Sequence, residues 1–461
     1  MTLYTYGFFV LGSFFLTIVG LLLKLVPVAR KQIRFIFHWL ISHFTRALLY
    51  GSFNLKKQII GKNARTFSRS SVVICNHSSF LDIIATTMLH PKLLLLTNKW
   101  VWNSPVFGGV VRLADYYPVM EGAEDSVSRL RSRVEEGYSV VVFPEGTRSV
   151  DGRIQRFHKG AFYLAQELTV PIQPLLIHGV DMGIRKNDIY VNDAKITLKF
   201  LPPIEADDPS YGATYSERTK SISRYFRKEH DKLRREQETP DYFRHRLYTN
   251  YLYKGPVLEW YMRIKVRLED YYKIFHELVP EKAHVIDLGC GYGFLCYMLQ
   301  FLSQDRVITG VDYDLDKIET AQHGYLRSDR LNFIHADVTT YSLTPHDVII
   351  ISDVLHYLSA SEQEELINRC FDALNPGGKV IIRDGNKDLA DRHKGTKLTE
   401  FFSVKLLKFN KSRNDLTFVS GNALTDLAKK RGLYVNIHDE TRFTSNVIFV
   451  ISKPLEVHAA I

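Results

Sequence analysis

The chain begins with an uninterrupted run of uncharged, mostly apolar residues at positions 7–23. About 20 such residues span a bilayer, so the pattern predicts a single N-terminal membrane anchor. A cleaved signal peptide is the alternative, but no charge precedes the run and no small-x-small cleavage site follows it. Over residues 32–50, large apolar residues interleave with cations, which predicts an amphipathic helix. This helix either lies on an anionic leaflet or packs on the domain that follows.

Short apolar runs alternate with helical periodicities over the rest of the chain and form two blocks. The first block has predicted buried strands at 71–75, 139–143 and near 172–175. The second has predicted strands beginning near 284, 307, 331, 347 and 374, and closing strands at 417–419 and 447–451. Strands that alternate with helices predict an α/β fold in which the second block forms a parallel, doubly wound sheet.

Two helical patterns separate the blocks. Charged residues at helical spacing over 216–238 predict a solvated helix. Aromatic residues over 251–272 predict a helix that covers the second domain, or alternatively one whose aromatics partly line a substrate mouth. The predicted organisation is an anchor and basic amphipathic segment at 1–54, an α/β domain at 55–205, a charged helical connector at 206–254, and a second α/β domain at 255–461.

Length and charge agree with this division. A chain of 461 residues exceeds one typical core, which indicates two domains. The first acidic residue is Asp82, and ten cations precede it, so the formal charge of +10 belongs to the N-terminal segment. Cations directly after the apolar run place the remainder of the chain at the cytoplasmic face of the inner membrane. Because these cations alternate with large apolar side chains, a nucleic-acid partner is not expected.

The chain has four cysteines, without Cys-x-x-Cys spacing. This sparse set fits a reducing compartment and predicts neither a disulfide framework nor a structural metal site. We interpret the cysteines as packing residues.

The first block carries two groups of residues suited to chemistry, each directly after a predicted strand. His77 follows the strand at 71–75, and Asp82 comes five residues later. A carboxylate can orient and stabilise a histidine that acts as a general base. The strand at 139–143 runs into residues 144–149, where Gly146 allows close approach of a ligand and Arg148 can hold an anion through two parallel hydrogen bonds.

Three motifs occur here in order: Asn-His-x4-Asp at 76–82, Phe-Pro-Glu-Gly-Thr-Arg-Ser at 143–149, and Val-Pro-Ile-x-Pro at 170–174. Over about 55–205 the chain therefore resembles the glycerolipid acyltransferase family. The resemblance implies that His77 deprotonates an acceptor hydroxyl or amine and that Asp82 supports it. It further implies an acyl-CoA or acyl carrier protein thioester as donor, membrane lipids as partners, and an acceptor site formed by Glu145, Gly146, Thr147 and Arg148.

One position departs from the family pattern. Many members carry an arginine between the first two motifs that helps to hold the acceptor phosphate, whereas the counterpart segment at 115–121 has none. Arg112 or Lys159 would have to replace it. Another lipid-like alcohol or amine is therefore an alternative to lysophosphatidic acid.

The second block opens with a glycine-rich turn between its first strand and a helix. The glycines of this turn follow a G-x-G-x-G spacing at 289–293, not the G-x-G-x-x-G of dinucleotide-binding folds, which disfavours NAD. Asp312 ends the next strand, at the distance expected for a carboxylate that binds ribose hydroxyls. Further carboxylates follow the third and fourth strands.

This series resembles a class I S-adenosylmethionine-dependent methyltransferase. The resemblance implies that Asp312 holds the ribose of S-adenosylmethionine and that Asp337 and Val338 meet the adenine. Asp353 and His356 would face the acceptor side. His356 is either a base or a packing histidine, since methyl transfer needs mainly alignment. No Asn-Pro-Pro-Tyr motif follows the fourth strand, which argues against methylation of DNA bases. The methionine end of the cofactor would be lined by Asp287, Gly289, Gly291 and Gly293.

The two resemblances together predict a bifunctional lipid-modifying enzyme that acylates an acceptor and methylates the same or a related lipid. Domain pairing of this kind resembles bacterial proteins that decorate specialised lipids. Two alternatives remain open. In the first, only one domain is catalytic and the other senses a cofactor or docks partners. In the second, the chain serves plain phospholipid biosynthesis, by lysophosphatidic acid acylation and headgroup methylation.

Overall fold

A computed structural model describes residues 1–118, 123–150, 152–184, 188–268, 271–389, 417–439 and 446–455. The chain divides into two units, Met1–Gln237 and Glu238–Ile461. The division falls inside the segment 206–254. Both units are of the predicted α/β class.

The described helices of the first unit are α1 (Thr2–Leu23), α2 (Arg30–Gly51), α3 (Leu81–Thr87), α4 (Lys99–Trp102), α5 (Gly108–Leu113), α6 (Ala123–Glu135), α7 (Gly160–Leu168), α8 (Val180–Gly183) and α9 (Tyr215–Gln237). Its strands are β1 (Leu55–Ile60), β2 (Val72–Cys75), β3 (Leu93–Thr97), β4 (Tyr117–Pro118), β5 (Ser139–Val142), β6 (Ile172–His178) and β7 (Ala194–Phe200). They form one sheet in the order β1-β7-β6-β2-β5-β3-β4, in which the pairs from β6 to β4 are parallel.

Strand β2 is buried on both faces, which explains its unbroken apolar sequence. Val73 and Cys75 point into a cluster with residues of α1, α2 and α3, whereas Val72 and Ile74 point into a second cluster with residues of α6, α7 and α9. Successive side chains of a strand alternate between faces. Helices therefore cover both sides of the sheet, and the end of β2 is held rigidly at its carboxyl edge.

Helix α9 differs from its prediction as a solvated helix. Ile222, Phe226 and Leu233 are completely buried in the core beside α7 and β6. Their spacing of four and seven residues forms a narrow apolar stripe on one face of a charged helix. The prediction of a solvated helix was wrong, because these three apolar residues dock the helix on the unit and Arg218, Thr219, Ser223 and His230 are buried beside them.

Helix α1 is long and apolar enough to cross a membrane, by length and composition. One edge of α1 packs on its own unit through small residues: a Cβ on Gly109 of α5 would lie 2.6 Å from Thr17. Phe9 packs edge-on against Phe80, with ring centroids 5.2 Å apart. The remaining surface exposes large apolar side chains to solvent, namely Leu11, Phe14, Phe15, Ile18, Leu21 and Leu22.

Helix α2 packs on the first unit, as one of its two predicted alternatives expects. Phe37, Ile41 and Leu49 are buried in the core. The opposite side of α2 exposes Phe35 and Trp39. The two alternatives are therefore compatible, because one face of α2 is committed to the domain and the other is not.

The described helices of the second unit are α10 (Pro240–Asn250), α11 (Pro256–Leu268), α12 (Tyr272–Leu278), α13 (Phe294–Leu302), α14 (Leu315–Gln322), α15 (Ala360–Asp372) and α16 (Gly421–Lys430). Its strands are β8 (His284–Leu288), β9 (Val307–Asp312), β10 (Leu331–His335), β11 (His346–Ser352), β12 (Leu374–Gly385), β13 (Tyr434–His438) and β14 (Asn446–Ser452). The sheet order is β10-β9-β8-β11-β12-β14-β13.

The predicted doubly wound sheet is confirmed. Strands β8 to β12 pair in parallel, and β14 closes the sheet antiparallel to β12. The closing strand predicted at 447–451 corresponds to β14. The one predicted at 417–419 makes only a single bridge, from Val419 to Asn386, and β13 takes the edge position instead. β13 was missed because most of its residues are exposed or half-buried, which weakens its apolar pattern.

Candidate active sites

The first site lies at the carboxyl edge of the first sheet, in the loop between β2 and α3. Asn76 fixes this loop to β6 through two hydrogen bonds: its amide donates to the carbonyl of Ile177 at 2.7 Å, and the N–H of Ile177 donates to its oxygen at 2.8 Å. The first residue of the loop is thus held by the neighbouring strand. His77 follows immediately, so the start of its backbone is fixed as well.

His77 and Asp82 form the predicted pair. His77 Nδ1 donates to Asp82 Oδ2 at 2.9 Å, and the same oxygen accepts the N–H groups of Ser78 at 2.7 Å and Ser79 at 2.8 Å. Asp82 is completely buried, whereas the His77 side chain retains some exposure and stacks on Phe143. Because Nδ1 carries the donated proton, Nε2 has the lone pair that a general base requires.

The second motif is joined to the first through Glu145. Its Oε1 accepts the backbone N–H of His77 at 2.8 Å, and its Oε2 accepts the N–H of Gln155 at 2.7 Å. Burial raises the pKa of Glu145. In this structure one oxygen of the carboxylate holds the His77–Asp82 loop, and the other holds the segment at Gln155. Its predicted contact with the acceptor stays a prediction.

The remaining residues of the second motif lie at the rim. Gly146 and Thr147 are exposed and Arg148 is half-buried. Gly146 has a φ of +73°, and a Cβ there would lie 3.3 Å from the ring of His158. Lys159, one of the two suggested replacements for the family arginine, directly follows His158.

Arg112, the other suggested replacement, is engaged elsewhere. Its Nη1 donates to the carbonyl of Trp102 at 2.7 Å, within the pair of short helices α4 and α5. Lys159 is therefore the better placed of the two cations to meet an acceptor at the second motif.

Apolar side chains adjoin the first site. Phe80, within the His77–Asp82 loop, lies against Phe107, which in turn lies against Trp100. Phe9 of α1 contacts both phenylalanines. Trp100 is largely exposed. The candidate base thus lies close to an apolar surface that continues along α1.

The glycine-rich turn of the second unit lies at the carboxyl end of β8, and its three glycines all have positive φ. A Cβ on Gly289 would lie 2.2 Å from Val354, and one on Gly293 would lie 2.5 Å from Phe333. Gly291 differs, because nothing lies within 4 Å of the position its Cβ would occupy. The first and third glycines are required by packing, whereas the middle one faces open space.

Two carboxylates flank this turn. Asp312 Oδ2 accepts the N–H of Gly291 at 2.7 Å, and its Oδ1 accepts the N–H of Asp314 at 2.9 Å. Asp287 is buried, and the thiol of Cys296 donates to its Oδ2 at 3.2 Å. Burial raises the pKa of Asp287 to about 7. The predicted methionine-end and ribose residues are therefore brought together around one turn.

The predicted adenine residues have local partners. Asp337 Oδ1 accepts the N–H and the hydroxyl of Thr339, at 2.9 and 2.7 Å, and so caps the turn after β10. Val338 is buried in the core, and its carbonyl accepts Arg369 Nη2 at 2.6 Å. Both residues lie at a strand end beside β9. Their contact with adenine stays a prediction.

Asp353 follows β11 with a φ of +58° and pairs with Arg383 of β12. The Arg383 guanidinium lies over the ring of Tyr271, 4.1 Å from its centroid. Left-handed backbone in a non-glycine residue is uncommon and marks a position that the surrounding structure enforces. This ion pair occupies the end of the sheet where the acceptor is expected.

Nearby, His356 forms a pair that the sequence did not reveal. Its Nδ1 donates to Asp384 Oδ1 at 2.7 Å, while Asp384 Oδ2 accepts the N–H of Leu355 at 2.9 Å. Both side chains are almost completely buried. Asp384 is the carboxylate near the end of the fifth strand, so the strand-end rule applied to the first four strands could have found it.

Comparison with known proteins supports this division of chemistry. Residues 54–178 match the family model described as Acyltransferase, and residues 285–378 match the model described as Methyltransferase domain. The chain is 34% identical over 145 residues to 1-acyl-sn-glycerol-3-phosphate acyltransferase of Cocos nucifera, covering 30% of this chain and 47% of the relative. It is 28% identical over 113 residues to carboxy-S-adenosyl-L-methionine synthase of Campylobacter curvus, covering 24% and 48%.

Among solved structures, the first unit is similar to the 1-acyl-sn-glycerophosphate acyltransferase PlsC of Thermotoga maritima. The identity is 21%, the match covers 50% of this chain and 94% of that chain, and the TM-score is 0.43. The chain spans about half the length of the curated relatives that it matches.

Proposed function

We propose that this chain, which joins an acyltransferase domain to an S-adenosylmethionine-dependent methyltransferase domain, acylates a lipid-like acceptor and methylates the same or a related lipid. The observation that carries the proposal is the His77–Asp82 pair beside the apolar surface of Phe9 and Phe80. A base in that position serves a hydroxyl or amine that arrives on an apolar molecule. Acyl-CoA or an acyl carrier protein thioester is the proposed donor.

In the acyl transfer, His77 Nε2 takes the proton of the acceptor hydroxyl or amine as its oxygen or nitrogen attacks the thioester carbonyl. The tetrahedral intermediate then collapses, the C–S bond breaks, and the imidazolium returns the proton to the leaving thiolate. Asp82 holds the ring in the required tautomer and stabilises its charged form. Glu145 keeps the backbone of His77 in place.

The residues of the second site fit S-adenosylmethionine. Gly291 leaves open space beside the turn, Asp312 presents a carboxylate to it, and Asp287 supplies a second, buried carboxyl group. When bound, S-adenosylmethionine supplies an electrophilic methyl group. Asp312 would hold its ribose hydroxyls and Asp287 its ammonium end. Asp353 and Arg383 would orient the acceptor at the neighbouring strand ends, and alignment supplies most of the catalysis.

The raised pKa of Asp287 gives cofactor binding a predictable pH dependence. The carboxylate form attracts the ammonium group of the ligand, and ionisation increases as pH rises through about 7. Affinity for S-adenosylhomocysteine should therefore increase roughly tenfold between pH 6 and pH 8, because the competent ionised fraction grows by that factor. Isothermal titration calorimetry measures it. The Asp287→Asn variant should bind S-adenosylhomocysteine weakly, with an affinity that does not change between pH 6 and pH 8. The wild-type pH dependence in that variant would contradict the assignment of Asp287 as the titrating group.

The acceptor of the acyl transfer is proposed as a lipid-like alcohol or amine other than lysophosphatidic acid. This rests on the missing family arginine at 115–121 and on its two suggested replacements. Arg112 is engaged by Trp102, and Lys159 carries a point charge that lacks the paired donors of an arginine. Plain phospholipid biosynthesis is the second candidate, favoured by the names of the acyltransferase relatives. Competition assays separate them, since a true lysophosphatidic acid acceptor would suppress acylation of every other alcohol.

We place the enzyme at the cytoplasmic face of the membrane, anchored through α1. The exposed apolar side of α1 and the aromatics of α2 support membrane attachment, and the cations that follow α1 in the sequence support the cytoplasmic face. Beside them, Arg46 of α2 and Lys62 line a cavity of about 400 Å³ with an apolar floor. Burial and the charge of Arg46 lower the pKa of Lys62. Two neighbouring cations of this kind favour the phosphates of an anionic leaflet.

The anchor can be tested through its exposed face. The double substitution Phe15→Asp and Ile18→Asp should release the protein from membranes, because each acidic group within a membrane helix costs about 3 kcal/mol. Sedimentation of cell membranes measures the change. Tyr434→Asp with Ile437→Asp, at two exposed apolar positions of β13, is the matched control and should remain in the pellet. Retention of the α1 variant on membranes washed with high salt, which weakens contacts that depend on exposed cations, would refute the anchor.

The bifunctional proposal is tested by lipid mass spectrometry after feeding methyl-deuterated methionine. A strain that lacks the gene is rescued by the wild type, His77→Ala or Gly291→Arg. The wild type should restore an acylated lipid that carries the label, and each variant should accumulate a different precursor. If one variant restores the wild-type product while folding normally, its domain is a sensing or docking module and the bifunctional proposal fails.

A further inference from the structure

Helix α11 has a fixed orientation on the methyltransferase unit. Leu258, Met262 and Val266 recur every four residues and are buried. This spacing places the three side chains on one face, which packs on the unit. The opposite face of the helix is therefore turned to solvent.

That outward face is apolar. Val257 is 68% exposed and Trp260 is 54% exposed, and Ile264 completes a spacing of three and four residues along the helix. Leu252 and Tyr253 of the preceding turn are about half exposed. We call these five residues the α11 stripe. Single exposed apolar residues are ordinary, but five large ones close together in the chain indicate a surface that binds a partner molecule or a membrane.

Cations accompany the α11 stripe. Lys254, Arg263 and Arg267 are exposed on the same segment. The one acidic residue of the helix, Glu259, is held by Arg263 at 2.7 Å. Among the described residues, Lys254 and Arg267 form no ion pair. An apolar face that contains tryptophan and is accompanied by unpaired cations is the pattern of a helix that lies in the interface of an anionic bilayer.

Residues beside the α11 stripe contact the glycine-rich turn, where the cofactor is proposed to bind. Tyr261, next to Trp260 in sequence, packs against Tyr292 of the turn, with ring centroids 6.3 Å apart. Tyr251, at the start of the segment, donates its hydroxyl to the carbonyl of Tyr292 at 2.6 Å. Tyr251 before α11 and Tyr261 of α11 thus contact the glycine-rich turn, while the α11 stripe lies on the exposed side of the same segment.

We propose that the α11 stripe seats the methyltransferase unit on the surface of an anionic lipid bilayer. An acceptor lipid could then reach the methyl donor without leaving the membrane. The inference rests on the proposed function, because it assumes a membrane-borne acceptor. The unpaired cations favour an anionic bilayer as the occupant, and a protein partner or a second copy of the chain is an outcome of the test.

The test uses the full chain with a photoreactive benzoylphenylalanine in place of Trp260. The protein is bound to vesicles of phosphatidylcholine with phosphatidylglycerol, irradiated, and analysed by intact-protein mass spectrometry. The matched control carries the same group in place of Tyr434, a still more exposed aromatic position of the same unit. Position 260 should yield phospholipid adducts in at least about tenfold excess over position 434. Vesicles of phosphatidylcholine alone should yield fewer adducts.

Adducts between position 260 and polypeptide, or lipid adducts no more frequent than at position 434, would overturn the proposal. A second variant, Trp260→Ser with Ile264→Ser, should bind S-adenosylhomocysteine like the wild type but methylate a membrane-borne acceptor at least about tenfold more slowly. An unchanged rate would also count against the surface. Lipid adducts at position 260 without any methylated lipid in cells would support bilayer contact by the α11 stripe and refute the proposed function. A methylated lipid in cells without lipid adducts at position 260 would refute bilayer contact alone.

Discussion

Replacing His77 by alanine should reduce acyl transfer about a thousandfold, the range expected when a positioned general base is removed. The reason is geometric. Asp82 is completely buried, and one of its oxygens accepts three hydrogen bonds, one from His77 and two from the loop backbone, so Asp82 is not placed to replace Nε2 as the base. The measurement is the rate of thiol release from acyl-CoA in the presence of a lipid acceptor.

His90→Ala is the control for this variant. His90 is a half-buried histidine of the same unit, but it precedes β3 and so lies at the opposite edge of the sheet. Its removal should leave the rate of thiol release unchanged, and binding of S-adenosylhomocysteine should be normal in both variants. A His77→Ala protein that folds and keeps more than about a tenth of the wild-type rate would refute the general-base assignment.

Replacing Gly291 by arginine should abolish binding of S-adenosylhomocysteine and with it methyl transfer. The new side chain would enter the open space beside the turn, where the cofactor is proposed to lie. The positive φ of +55° adds a strain of about 1 kcal/mol for any non-glycine residue. Calorimetric titration measures binding, and acyl transfer should continue at the wild-type rate.

Gly432→Arg separates the two expected causes of this loss of binding, namely the arginine side chain in the proposed cofactor site and the backbone strain. Gly432 has a φ of +70° and also faces open space, but it lies in the turn between α16 and β13. The two substitutions therefore introduce the same side chain and similar strain. If both abolished ligand binding, the effect would be one of stability, and the placement of the cofactor beside Gly291 would be wrong.

The sequence predicted those parts of the fold that depend on short-range patterns. Apolar runs identified β2, β5 and most strands of the second sheet, and strand ends identified the positions of His77 and Asp312. Parallel strands bring such ends to one edge of a sheet, which is why the rule worked. The α/β class of both units follows from the same alternation.

Features that depend on distant pairs were not predictable. The strand-end rule could have identified Asp384, but its pairing with His356, 28 residues away, could not be predicted. The inward orientation of Glu145 likewise depends on the backbone of residues 68 positions before it and ten after it. No local pattern encodes such pairings. Helix α9 shows the same limit, because only the folded structure shows that its narrow apolar stripe packs against residues of α7 and β6.

The joining of two transferases on one chain has a physical rationale. Under the proposed function, a poorly soluble intermediate released by the first site would stay in the membrane, and a tethered second site would meet it at a raised effective concentration. The α11 stripe would strengthen this effect, since it would keep the second site on the same surface as its substrate.

The glycine-mediated packing of α1 makes this helix a rigid part of the first unit. Thr17 packs against Gly109, and Phe9 packs against Phe80 within the His77–Asp82 loop. A bilayer that holds α1 would therefore also set the height and tilt of His77 above its plane. The distance between the reactive group of an acceptor and the lipid surface would then select acceptors. This selection would not require a contact between a side chain and the headgroup.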